Sequence, residues 1–179
     1  MQTFAVQMAI VYTLVNIIIL LNTKHDFISP AGDENNAVVT TFNVDKDMQL
    51  GINESPVSAY SIRSTVQGMC FTDDNEIVLS VSSIFKGSQL YCYDLDTIYR
   101  GEIGSLSIDE KSIPLYYVDG STIKHEIEVL PKSEGLAFCS GRVYILFESA
   151  SNRFMYGKLI KGDYVFSYDL KSARNNIKK

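Results

Sequence analysis

The chain holds 179 residues, enough for one domain with its own core, and its apolar (46%) and charged (21%) fractions are those of an ordinary globular protein. A formal net charge of −5, from 21 acids against 16 bases, argues against nucleic-acid recognition, which needs a basic stripe. Cys70, Cys92 and Cys139 are an odd set without a CxxC spacing, so they form neither a disulfide framework nor a zinc pattern. Cys70 and Cys139 read instead as small hydrophobes packing near the ends of two similar strands.

Residues 1–23 (MQTFAVQMAIVYTLVNIIILLNT) contain no charged side chain; every acid and base of the chain comes later. A mainly apolar run of about 20 residues is the length a helix needs to cross a bilayer. It lacks both the basic start and the small-residue cleavage site of a signal peptide, so an uncleaved membrane anchor is the preferred reading. A poorly formed signal peptide and an element buried in the domain are the alternatives, the second because the run is rich in β-branched residues. Residues 24–37, with Pro30, Gly32 and several Asn, read as a polar linker.

From Val38 onward the hydrophobic period is two. Val38–Val44 reads as a strand. Ile77, Leu79 and Val81 alternate with Val78, Ser80 and Ser82 as a half-buried strand, and Val143, Ile145 and Phe147 alternate in the matching later place. In Ile123–Val129, Ile123, His125, Ile127 and Val129 share one face, and Lys124, Glu126 and Glu128 the other. Turn chemistry at 72–75, 86–88, 118–121, 139–141 and 161–163 separates these runs. A short helical turn is expected around Asp94–Arg100. The soluble part, 38–170, is all-β, and a basic tail with Lys171, Arg174, Lys178 and Lys179 closes the chain over 171–179.

Two phrases repeat. Gln67-Gly68-Met69-Cys70-Phe71 aligns with Glu134-Gly135-Leu136-Ala137-Phe138, and each leads through a turn, an apolar strand and a polar loop to Tyr-Asp-Leu (Tyr93–Leu95, Tyr168–Leu170). A strand–turn–strand–loop–strand unit repeated in one chain predicts a partial β-propeller-like array of antiparallel sheets with two recognisable blades. The glycine after Gln67 or Glu134 is expected where an inner strand approaches its neighbour too closely for a Cβ.

The phrases VQGMCFTDDNEIVLSVSS, LYCYDLDT, IPLYYVDGS and LPKSEGLAFCSGRVYILFESASNRFMYGKL resemble the C-terminal half of a group of bacterial membrane-anchored or exported β-propeller-like proteins that have no established activity. The resemblance runs from about Val38 to Leu170. It implies a six- or seven-bladed architecture in longer members, of which this chain lacks the early blades. A more distant likeness to six-bladed lactonases and strictosidine-synthase-like proteins implies that Glu134 is a calcium ligand at a tunnel mouth. The first repeat carries the neutral Gln67 at that position.

Catalytic signatures are missing. His125 has the apolar face-mates Ile123, Ile127 and Val129 and reads as a core or rim histidine. No G-x-S-x-G, phosphate-cradling Gly loop or HExxH occurs. Glu134 and Glu148 stand on neighbouring strands as a conceivable carboxylate pair.

The expected function is a non-catalytic, membrane-anchored or exported interaction domain facing the outside of the cell. It meets a protein or small ligand at the propeller rim and the membrane through residues 1–23, and its open sheet edges allow self-association. A calcium-dependent lactonase-like hydrolase and a non-functional fragment of a longer propeller are the rival readings.

Overall fold

The computed structural model describes residues 27–49, 51–82, 87–108, 110–147, 165–170 and 172. The expected membrane helix (1–23) and all of the basic tail but Ser172 lie outside them. Among the described residues no helix is long and apolar enough to cross a membrane.

Part of the expected linker is built. β1 (Phe27–Ile28) and β2 (Glu34–Asn35) pair as a short hairpin. Its turn is closed by Gly32 N–H donating to the Ser29 carbonyl at 2.8 Å, with Gly32 at φ +87°, a conformation glycine adopts without strain. Asn35 is buried and donates through Nδ2 to the carbonyls of Ser61 (3.1 Å) and Val118 (3.3 Å). Those two bonds tie a polar stretch to the body of the domain, which composition alone does not reveal.

Among the described residues eleven further strands follow. β3 (Ala37–Val44) and β4 (Ile52–Ile62) form a long hairpin, and β5 (Val66–Phe71), β6 (Glu76–Val81) and β7 (Ser88–Asp94) an antiparallel run. The expected helical turn is α1 (Leu95–Arg100). Then come the hairpin β8 (Ile103–Ile108) and β9 (Lys111–Tyr117), a 3-10 turn at Gly120–Thr122, β10 (Ile123–Val129), and β11 (Ser133–Cys139), β12 (Arg142–Phe147) and β13 (Phe166–Tyr168).

Besides the β1–β2 hairpin, the described residues form three sheets: a leading sheet β3-β4-β9-β8, a central sheet β10-β7-β6-β5 and a trailing sheet β11-β12-β13. All-β is what the period-two pattern announced. The pairing is not antiparallel throughout, however, because β4 and β9 are parallel. The chain leaves the central sheet after β7, adds β8–β9 to the leading sheet, and returns to lay β10 on the far edge of the central one. That excursion forces the parallel contact.

The sheets stack in layers. Ile77 and Leu79 on β6, with Tyr91 and Tyr93 on β7, pack against Val39, Tyr60 and Ile62 of the leading sheet. Val78, Leu90 and Cys92 point the opposite way and pack against Val143, Ile145 and Phe147 of the trailing sheet. The strand expected to be half-buried is therefore buried on both faces, with Ile77, Val78 and Leu79 each 0% exposed. A strand at the centre of a middle layer has no solvent side.

β10 departs from simple alternation. Its register against β7 shifts between Ile123 and His125, a bulge at Lys124. Ile123, opposite Tyr93, joins the core facing the leading sheet, while His125 stands opposite Cys92 and Ile127 and Val129 join the core facing the trailing sheet. The four residues expected on one face are divided by that extra residue.

The two aligned segments occupy edge strands that meet, β5 and β11. Both carry a register shift at the aligned place, between Val66 and Gly68 and between Ser133 and Leu136. A Cβ on Gly68 would collide with the Glu134 carbonyl oxygen and lie 2.9 Å from the Leu136 nitrogen. The close approach expected of this glycine is present. Gly135 has room, its Cβ position meeting only the Leu146 side chain at 4.0 Å.

Since the obstruction at Gly68 is backbone, Gly68→Ala should cost about 2–4 kcal/mol in urea unfolding of the full chain, whereas Gly135→Ala should stay within about 0.5 kcal/mol. Equal effects at both positions would show that the β5–β11 contact is not rigid.

Candidate functional site

The line where β5 meets β11 gathers the residues singled out by sequence. Gln67 is exposed at the β5 bulge, and Glu134 is half-buried at the β11 bulge with its carbonyl against Gly68. A bulge re-aims side chains without breaking a strand, which is why such positions recur beside binding sites. Gln67 carries a carboxamide and Glu134 a carboxylate, the oxygen chemistry that hard cations and hydroxyl-bearing ligands use. Among the described residues no group of three or more His, Cys, Asp or Glu is gathered for a metal. Glu148, the other half of the carboxylate pair considered above, lies outside the described residues.

His125 is not brought to this line. It sits on β10, at the edge of the central sheet opposite β5, three strand spacings or roughly 14 Å across. Its half-buried position beside Ile127 agrees with a core or rim histidine.

Directly beneath Glu134 is a polar bridge that periodicity did not announce. The Ser80 and Ser133 hydroxyls are 2.6 Å apart, Ser133 N–H donates to Ser88 Oγ at 3.1 Å, and Ser88 Oγ donates to Ser82 Oγ at 3.2 Å. Ser80, Ser88 and Ser133 are fully buried. These hydroxyls satisfy one another across the central–trailing interface, so Ser133 is a structural clamp and no nucleophile. The signal in sequence was the serine ending the first repeat's apolar strand.

A second polar cluster lies at the β6–β7–β10 end. Lys124, displaced by the bulge, reaches Asp94 at 2.7 Å and the buried Glu76 at 3.6 Å. The hydrogen bond from Lys124 holds the Asp94 carboxyl below its ordinary range, and the same bond holds the Lys124 ammonium above its own. Elsewhere, in the β4–β5 connection, the Arg63 guanidinium lies 4.2 Å from the centre of the Tyr91 ring. Burial and the Tyr99 hydrogen bond raise the Tyr60 phenol, whose oxygen is 2.7 Å from that of Tyr99.

The three cysteines are free. Cys70 and Cys92 both stand opposite Val78, on either side of β6, so two strand spacings of about 9.6 Å separate them, beyond disulfide reach. Burial, aided by Cys92, pushes the Cys70 thiol up to about 12. Cys70 packs in the core as expected, but Cys139 is exposed beside the Ser140-Gly141 turn, where both residues have positive φ (+50° and +76°).

Comparison of the chain with protein-family models, with curated proteins and with solved structures returns no match.

The serine clamp makes a specific prediction. Ser133→Ala strands Ser80 Oγ in a dry interface and should cost about 1–3 kcal/mol in urea unfolding, while adding Ser80→Ala should recover part of that loss. Strict additivity of the two would mean that the hydroxyls are not coupled. For the ion pair, Asp94 titrates lower when folded, so its contribution is present above the unfolded value near ~3.9 and is lost as pH falls. Lys124 titrates higher when folded, so its contribution holds below ~10.4 and is lost as pH rises through the folded value. Lys124→Met should therefore flatten both limbs of the urea midpoint plotted against pH, and an unchanged acid limb would count against the pair.

Proposed function

We propose that this chain is a non-catalytic, β-propeller-like interaction domain that meets a protein or small ligand along the β5–β11 line and the adjoining rim. The observation that carries the reading is the contact of the two inner edge strands, each bulged at the aligned Gln67 or Glu134, with a glycine at the point of closest approach. Sheets that stack face to face while their first strands converge are what a propeller of blades requires. The central sheet, four antiparallel strands in a meander interrupted only by the α1–β9 excursion, fits one blade; the trailing sheet fits a shorter one. The mixed leading sheet is the least blade-like of the three.

Leu146 (53% exposed), on the trailing sheet's outward face, and the nearby Val165 (59% exposed) give a protein partner apolar surface to cover. The lactonase-like reading rests on Glu134 and remains the second hypothesis.

One experiment separates these readings: light scattering and thermal unfolding of the full chain with and without calcium. A discrete mass and one cooperative transition, unmoved by calcium, are expected of the interaction domain. A calcium-dependent rise in the transition temperature that disappears in Glu134→Gln would transfer the assignment to the lactonase-like hydrolase. A polydisperse sample without cooperative unfolding would identify a fragment whose remaining blades are elsewhere.

A further inference from the structure

A sheet edge presents a row of unpaired N–H and C=O groups, and folded chains blunt such edges with charges, prolines, bulges or cover. The edges of this molecule differ in that respect. β5 and β11 lie against each other. β10 exposes Lys124, Glu126 and Glu128 and carries its bulge, β3 is interrupted by two register shifts between Thr41 and Val44, and β13 is three residues long. β8, the outer strand of the leading sheet, has none of these devices. Its sequence, IGSLSI, contains no charge and no proline, and it pairs with β9 over six consecutive residues without a shift. No described strand pairs with its other side.

Alternation divides β8 into two rows. Ile103, Ser105 and Ser107 are exposed on one face, while Gly104, Leu106 and Ile108 are partly covered on the other. Ile103 is 51% exposed, and Tyr116, opposite it on β9, carries Tyr99 (43% exposed) edge-on at 5.0 Å. The unguarded edge thus ends in apolar surface that a partner strand would cover.

We infer that β8 pairs antiparallel with β8 of a second copy of this chain about a two-fold axis at Ser105, joining two four-stranded leading sheets edge to edge. The inference does not depend on the β5–β11 reading. A second copy is selected because the strand is complementary to itself. A two-fold perpendicular to the sheet keeps each face on its own side, so residues of like parity meet. Centred at Ser105, that residue meets its own copy and Ile103 meets Ser107. Leu106 meets Gly104, where the Tyr117 ring lies over the backbone. Each large side chain therefore opposes a small residue, and no like charges are opposed. Just before the strand, Glu102 comes opposite Ile108 and not opposite another acid. Centring at Leu106 would instead set two leucines against each other and leave Ile103 facing no residue of the strand.

A foreign strand rich in charge finds no counter-charge along this edge. Six residues extend about 20 Å, and one added strand buries less than the roughly 1,200 Å² at the lower bound of a stable interface, so the dimer is expected to be reversible in the micromolar range.

The test is sedimentation of the full chain from about 1 to about 300 µM, alongside Ser105→Lys and Ser105→Glu. Ser105 is exposed, and its Oγ lies 2.7 Å from that of the exposed Ser112, so neither substitution reaches the core. Each variant alone sets two like charges at the axis and should weaken the dimer by about tenfold or more, whereas an equimolar mixture of the two should restore association. A parent that stays monomeric, variants that associate as the parent does, or a mixture no better than its components would each overturn the inference.

A second readout reports on this strand even if another part of the chain also associates. In a Cys139→Ser background, Ser105→Cys should give a disulfide-linked dimer on mild oxidation, because Cα atoms paired at the axis stand about 4.5–5.5 Å apart. Ser167→Cys, on the edge strand β13, should not. Dimers from both positions, or from neither, would overturn the pairing and leave the β5–β11 reading untouched.

Discussion

Everything in this molecule depends on a strand, β6 at the middle of the central sheet, that has no side facing water. β6 buries Ile77 and Leu79 toward one neighbour and Val78 and Ser80 toward the other, so the central sheet is held only while both flanking sheets are present. Each aliphatic side chain buried in this way is worth about 1.5–3 kcal/mol, and a domain's net stability is only about 5–15 kcal/mol. Losing either flanking layer would strip several such side chains together. The same constraint dictates where polar groups stand. Ser80 is tolerated in the middle layer because Ser133 arrives from the trailing sheet at hydrogen-bond distance, and Glu76 because Lys124 reaches it from β10.

The excursion between β7 and β10 converts a stack into a single cooperative unit. It gives the leading sheet half of its strands from a connection that belongs to the central sheet, and it sets β9 parallel to β4. It ends in a bulge that does two jobs at once. The extra residue turns Ile123 toward the leading sheet and His125 and Ile127 toward the trailing one, and it delivers Lys124 to Glu76 and Asp94. Covalent connectivity and core packing therefore couple the leading and central layers, while the ion cluster ties β6, β7 and β10 together within the central one.

The β5–β11 line joins architecture to function. A glycine without room for a Cβ brings the two edges together, bulges turn Gln67 and Glu134 out of the regular ladder, and a buried serine clamp fixes the strand beneath. Such a line presents oxygen groups from a backbone held by close packing. Fold by itself names no ligand, so the binding reading rests on the chemistry of this line and not on blade resemblance.

Much of this was legible in the sequence because its causes are local. Period-two alternation marked β3, β6, β10 and β12, Leu95–Arg100 formed the short helix expected there, and the Gly68 contact followed from a glycine repeated at one place in two similar phrases. Other features were hidden because their causes lie in partners distant along the chain. β4 contains Pro56 and polar residues and becomes a strand by pairing with β3 and β9; β8, with Gly104 and three exposed positions, becomes one only as the outer partner of β9. Asn35 became part of the core through carbonyls of residues 61 and 118. Sequence by itself determined the all-β class, the repeat and its glycine, since side-chain period and backbone sterics act over a few residues. Tertiary structure alone decided which faces are dry, which serines are paired and which way β9 runs, since burial and register belong to pairs of strands and not to either strand.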